Sequence, residues 1–170
     1  LSTVGADAAA GAAVIAVGNG NTGTLTLSGV DYHSGSSQQT YTGNTILITG
    51  TAPTFTASNA NISFVDGGTG NITLSDAADL TIRTSGGNID IEPEILGTAN
   101  GANTSVTLNA GGGDVVLDNT GTGVIHTDIG AVAITGATIE LSDNITTDNA
   151  NITLTGAVVL DGGDGGLAVE

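Results

Sequence analysis

The sequence has no Cys, no Met and no Trp, and a single Lys or Arg in 170 residues. Without Cys there are no disulfide staples and no zinc-thiolate sites, so the fold needs another source of stability. One cation, Arg83, against 17 Asp and Glu leaves a formal charge of −16. That charge excludes the phosphate neutralisation on which nucleic-acid binding depends, and it makes an anionic membrane a poor partner. With no Lys there is no phosphate-binding loop of the Gly-Lys type. Aromatic residues make up 2% of the chain, so a core must be built from Val, Ile, Leu and Ala in thin layers. The one apolar run, residues 8–17, is broken by Gly11, has no basic flank and is too short to span a bilayer. It reads as neither a secretion signal nor a membrane span, and no membrane insertion of this segment is expected. The missing initiator Met is expected of a processed chain or of a segment of a longer one.

What is present is a short strand pattern that recurs. Apolar side chains stand at alternate positions for three or four residues, ended by Gly, Asn or Asp: Leu25 and Leu27, Ile46 and Ile48, Ile72 and Leu74, Leu80 and Ile82, Val115 and Leu117, Ile139 and Leu141. The spacing leaves room for a strand and a turn and nowhere for a helix of ordinary length. Asn59-Ala60-Asn61-Ile62-Ser63-Phe64 is echoed by Asn149-Ala150-Asn151-Ile152-Thr153-Leu154, which points to repeated structural units. With two or three strands to a coil, a coil holds roughly 20 residues, and residues 23–170 give about seven. One coil buries too little apolar area to order itself, so coils must stack. The expected fold is therefore all-β, a right-handed parallel β-helix (β-solenoid), in which Gly and Asn at the corners let neighbouring coils approach. The alternative is a β-sandwich of immunoglobulin type, whose buried Trp or tyrosine corner is missing.

Residues 1–22 read as an N-terminal cap or assembly segment, and residues 23–170 as the solenoid repeats. Two stretches break the rhythm and read as loop excursions, residues 31–43 with Tyr32, His33 and Tyr41, and residues 94–103.

The strand starts of the form Asn-Ile-Thr-Leu, the segment from Ala78 through Leu80, Ile82, Arg83, Gly86, Gly87 and Asn88 to Ile91, and Gly113-Asp114-Val115-Val116-Leu117-Asp118-Asn119 carry a resemblance. Over roughly residues 44–170 the chain resembles filamentous-haemagglutinin-type exoproteins. The resemblance implies a large exported right-handed β-helix, secreted by a two-partner or autotransporter route. Such a protein holds cells to surfaces, to one another or in a biofilm through cell-surface or matrix glycans and proteins.

Few residues are placed for chemistry. Asp90 and Glu92 alternate with Ile89 and Ile91, so their carboxylates project from one outer face about 7 Å apart. A glycosidase uses such a pair, but no second cluster or basic clamp supports one, and a solvated acidic face is the preferred reading. Arg83 is within reach of either carboxylate as an incidental surface pair. His33 and His126 lack a third ligand at zinc spacing. Asp66, Asp161 and Asp164, each followed by paired glycines, are the candidate calcium ligands, with glycine-rich turns the preferred reading; no other cofactor is expected. Sequons at Asn61, Asn71, Asn103, Asn144 and Asn151 are candidate glycan sites. Outward Thr residues such as Thr73, Thr81 and Thr107 keep no constant period, which argues against an ice-binding array.

The sequence thus points to a structural, adhesive rod at the cell surface or in the extracellular matrix, and not to an enzyme. One alternative is a filament subunit that adds to further copies of itself by strand addition, with the Val14–Val17 stretch as a candidate edge. Another is a carbohydrate-active β-helix that depends on Asp90 and Glu92.

Overall fold

The computed structural model describes residues 4–5, 14–66, 70–75, 78–98, 104–119, 123–126 and 128–161. Strands follow in a cycle of three. The first coil contains β1 (Val4–Gly5), β2 (Ile15–Gly18) and β3 (Thr24–Leu27), and the second β4 (Asp31–His33), β5 (Gln39–Thr42) and β6 (Thr45–Ile48). The third has β7 (Thr54–Ala57), β8 (Ile62–Val65) and β9 (Asn71–Leu74), and the fourth β10 (Leu80–Thr84), β11 (Ile89–Ile91) and β12 (Glu94–Gly97). The fifth has β13 (Val106–Asn109), β14 (Val115–Leu117) and β15 (Ile125–His126). A long strand, β16 (Val132–Leu141), then covers two faces, Ile145 bridges to Ile125 on the third, and β17 (Ile152–Leu160) lays a last rung on β16.

Each strand pairs with the one three places on, so the chain winds around a prism of three sheet faces. The first face runs β1-β4-β7-β10-β13-β16, the second β2-β5-β8-β11-β14-β16 and the third β3-β6-β9-β12-β15. Every strand pair among the described residues is parallel, as in a β-solenoid and unlike a sandwich. On the second face Ile15, Gln39, Ile62, Ile89, Val115, Ile139 and Val158 stand in register, and the steps between them are unequal. A coil holds about 24 residues. That is longer than the sequence suggested, because each coil carries three strands and three corners.

Inward residues of each face stack into columns that together form the core. Tyr32, Phe55, Ile82, Leu108 and Ile134 stack on the first face and Ile46, Ile72, Ile95 and Ile125 on the third, all fully buried. Alternation puts one side chain in two inside, which is why three-residue strands suffice.

The corner between the first and second faces shows what the small and Asx residues do. A Cβ on Gly87 would lie 2.2 Å from the Ala60 carbonyl oxygen, one on Gly113 2.1 Å from that of Gly87, and one on Gly156 2.1 Å from that of Gly136. Only glycine admits so close an approach of backbones. Beside this column, Asn61 Oδ1 accepts the Asn88 N–H (2.9 Å), Asn88 Oδ1 accepts that of Asp114 (3.0 Å), and Asp114 Oδ1 accepts that of Thr138 (3.0 Å). Each coil thus hydrogen-bonds to the next with a side chain where the ladder turns the corner, and leaves fewer backbone donors unpaired there.

Three expectations need correction. Residues 31–43 are not a loop excursion: they include β4 and β5, with Tyr32 and Tyr41 fully buried. Their inward positions are Tyr32, Gln39 and Tyr41, so the apolar alternation is disguised by polar tips. Residues 94–98 likewise begin with β12, whose second inward position is Gly97 because a Cβ there would meet the Asp128 carbonyl oxygen at 2.1 Å. The rest of that expected loop, residues 99–103, lies outside the described residues. Within residues 1–22, β1 and β2 pair with β4 and β5 as rungs of the first coil, so the boundary expected at residue 23 falls inside that coil.

Candidate functional site

The three faces differ in outward chemistry. On the first face, the outward column Thr54–Thr81–Thr107–Ala133–Thr153 runs beside Thr56–Arg83–Asn109–Thr135–Thr155. Thr residues stack here because one full coil separates Thr54 from Thr81 and another separates Thr81 from Thr107, whereas Thr73 stands on the third face. Ala133, Arg83 and Asn109 interrupt the array. From β7 to β17 these outward positions carry no carboxylate, and their one cation is Arg83, which is exposed.

The second face is acidic. Asp90 projects from β11 and Glu92 follows the strand, and both remain part-buried. Glu92 donates its N–H to the Phe64 carbonyl and Asp118 donates its own to that of Ile91, so the ladder continues and sets Glu92 beside Asp118 of the next coil. On the other side the Asp66 N–H donates to Glu92 Oε2 at 3.3 Å. Three carboxylates, Asp66, Asp90 and Asp118, thus gather around Glu92, and the four come from three coils. Partial burial pushes the Asp90 carboxyl above its usual range, and the neighbouring charge of Asp118 adds to this. Burial also raises Glu92, opposed by the Asp66 N–H and reinforced by Asp90, Asp66 and Asp118. The sequence pair Asp90 and Glu92 is therefore brought together, with two partners that sequence reasoning missed. The period was the signal: Asp66, Glu92 and Asp118 are evenly spaced in the chain, each one coil after the last.

Arg83 does not join this group. It stands on β10 of the first face, around a corner from β11, and makes no ion pair among the described residues. On the third face His126 Nε2 lies 2.9 Å from Glu94 Oε2. His33 is on the first face, where its Nε2 is buried without a hydrogen-bond partner.

Inside the core beneath the second coil lies a polar and aromatic knot. Gln39 is fully buried, and its Nε2 donates to the Tyr32 carbonyl (3.1 Å), Ser34 Oγ (3.0 Å) and the Thr56 carbonyl (2.7 Å). Its Oε1 accepts the Tyr41 hydroxyl at 2.9 Å, while Tyr32 Oη accepts the Gly29 N–H at 2.8 Å. All four aromatic residues of the chain meet here: Tyr32 stacks on Phe55 at 4.5 Å and Tyr41 on Phe64 at 5.0 Å. Burial raises the pKa of both phenols. The knot fills the core, with Tyr32, Gln39, Tyr41, Phe55 and Phe64 fully buried.

Of the calcium candidates, Asp66 and Asp161 are among the described residues. Asp66 Oδ2 accepts the Gly70 N–H at 2.5 Å. Asp161 is exposed at the end of β17, and Asp164 lies outside the described residues. Among the described residues no group of three or more His, Asp or Glu side chains is arranged to hold a metal ion. Of the sequons, Asn61 and Asn151 are exposed, whereas Asn71 and Asn144 are part-buried and Asn103 lies outside the described residues. The Asn61 and Asn71 carboxamides are already engaged, by the Asn88 N–H and by the Thr73 hydroxyl at 3.0 Å.

Parallel rungs, a core of stacked inward columns from three faces and repeated corners define a β-solenoid repeat protein. The chain matches no protein-family model, no curated protein and no solved structure.

Proposed function

We propose that this chain is an extracellular structural and adhesive rod, a segment of a surface adhesin or matrix fibre. The observation that carries the reading is the continuous stack of parallel coils on three faces, which turns chain length directly into reach. The composition supports it, since an acidic surface suits a soluble protein that meets salt and divalent ions, and backbone ladders stabilise without disulfides. The chemistry of a carbohydrate-active β-helix is not favoured, because Arg83 stands on a different face from Asp90 and Glu92 and cannot serve them as a substrate clamp.

The test is immunoblotting of cell, surface and medium fractions from the natural source, with an antibody raised against the folded chain. A band at the surface or in the medium, at a mass far above 16.4 kDa, is expected of a rod segment. A 16.4 kDa protein confined to the cell interior would reject the reading.

One observation favours a self-assembling subunit as the second reading. Exposed large apolar side chains concentrate near the ends of the described stack: Val14 at 65%, and Val158, Val159 and Leu160 at 43%, 46% and 54%. Val158 and Leu160 continue inward columns above Ile139 and Leu141. A coil stacked on β17, from another copy or from the same longer chain, would cover them. Surface protein recovered at 16.4 kDa and in filaments selects this reading over the first.

A further inference from the structure

Two charged features of this chain stand on different faces, and they match each other. Arg83, the only Lys or Arg, is exposed on the first face among Thr and Asn side chains, without an ion pair among the described residues. On the second face Asp90, Glu92, Asp66 and Asp118 crowd together, and Asp90 and Glu92 hold protons more tightly than usual. Arg83 and the centre of that cluster belong to one coil, since β10 and β11 are consecutive strands. Two rods side by side, with axes parallel and coils level, therefore bring Arg83 of one level with the carboxylate cluster of the other.

We propose that the first face of one copy docks on the second face of another through Arg83 and this carboxylate cluster, so that rods associate laterally. Resting on the rod proposed above, the pairing is heterologous, so each docked copy still offers a free face and rods join into ribbons. A second copy fits both halves of the contact: an Arg beside carboxylates forms short, charge-assisted hydrogen bonds, and the flanking Thr side chains are short enough to let two sheets approach. Five rungs about 4.8 Å apart and strands of about 13 Å give roughly 300 Å² on each partner, well under the ~800 Å² of a standard interface. One short segment therefore associates weakly. The −16 charge on each copy opposes the approach, but exposed charges more than about 8 Å apart are screened at 0.15 M salt.

The experiment is sedimentation velocity in 0.15 M salt up to about 1 mM protein, a range that reveals weak association. Four proteins are compared: the unaltered chain, Arg83→Glu, Asp118→Arg, and both substitutions together. We expect the sedimentation coefficient of the unaltered chain to rise with concentration, the rise to vanish in each single variant and to return in the double variant. Both positions are exposed, so the fold is retained, and recovery in the double variant excludes unfolding as the cause of the loss. A chain that stays monomeric throughout, or a rise that survives Arg83→Glu, overturns the proposal. The second outcome assigns association to the stack ends, and neither outcome touches the rod reading, which is decided by where the native protein is found.

Discussion

Gly112 and Gly113 stand side by side in one turn, yet the fold constrains them differently. A Cβ on Gly112 meets nothing within 4 Å, whereas one on Gly113 runs into the Gly87 carbonyl of the coil beneath. Gly113→Ala should lower stability by about 3 kcal/mol while Gly112→Ala stays within about 0.5 kcal/mol, as read from urea unfolding curves. Gln39 is the other residue on which much converges. Gln39→Ala removes an amide whose two N–H groups serve three acceptors and whose oxygen accepts one bond, leaving buried groups unpaired in an otherwise apolar column, and should cost about 2–4 kcal/mol by the same measurement. Asp90 and Glu92 act through protons. Folding raises both carboxyls, so the folded chain holds protons that the unfolded chain has released. Their contribution is therefore unfavourable at pH 7, and stability grows as pH falls toward the ordinary carboxylate range, where both states are protonated. The urea midpoint should rise between pH 7 and pH 4.5, and the double variant Asp90→Asn, Glu92→Gln should start higher at pH 7 and show a flatter pH dependence.

At the scale of the strand and the coil, the sequence was legible wherever alternation was carried by Ile, Val and Leu. From β6 onward nearly every strand was read from such pairs. Several elements that escaped have inward positions that are not branched aliphatics: β4 and β5, where Tyr and Gln turn inward and satisfy their polar atoms inside the core, β7, with Phe55 and Ala57, and β12, with its Gly97. The coil length escaped for a related reason. On the second face alone, the step from Ile62 to Ile89 is longer than the step from Ile139 to Val158, because corners absorb extra residues, and no single repeat length holds along the whole chain. The acidic cluster was half legible, since two of its members alternate along one strand and the other two are neighbours only through stacking. If coils are the units, removing one whole coil should be tolerated. Excising residues 89–114 joins Asn88 to Val115, which reproduces the Asp114–Val115 junction and keeps each later strand on its face. That variant should retain its strand circular dichroism and unfold cooperatively at a lower temperature. Excising residues 89–101 instead puts later strands on the wrong faces and should abolish the cooperative transition.

For the molecule as a whole, the columns of core side chains and the three outer faces run the length of the stack, so surface chemistry is organised along the axis and not around a pocket. From β7 on, the outward strand positions of one face carry Arg83 and no carboxylate, while the second face is acidic and the third carries the His126–Glu94 pair. The corner between the first two is held by the glycine column and the Asx ladder, whose bonds link one coil to the next. The backbone bonds of parallel rungs point the same way, along the axis. A tension applied between the two ends of the chain therefore bears on the outermost rung first and peels it from its neighbour before the next is loaded. Each coil that comes free lengthens the tether by roughly 80 Å. Drawn out in a force-extension experiment, the protein should lengthen in a train of such steps, each absorbing work, and so act as a shock absorber between whatever its ends are fastened to. A single abrupt extension of the whole chain would show that the coils yield together.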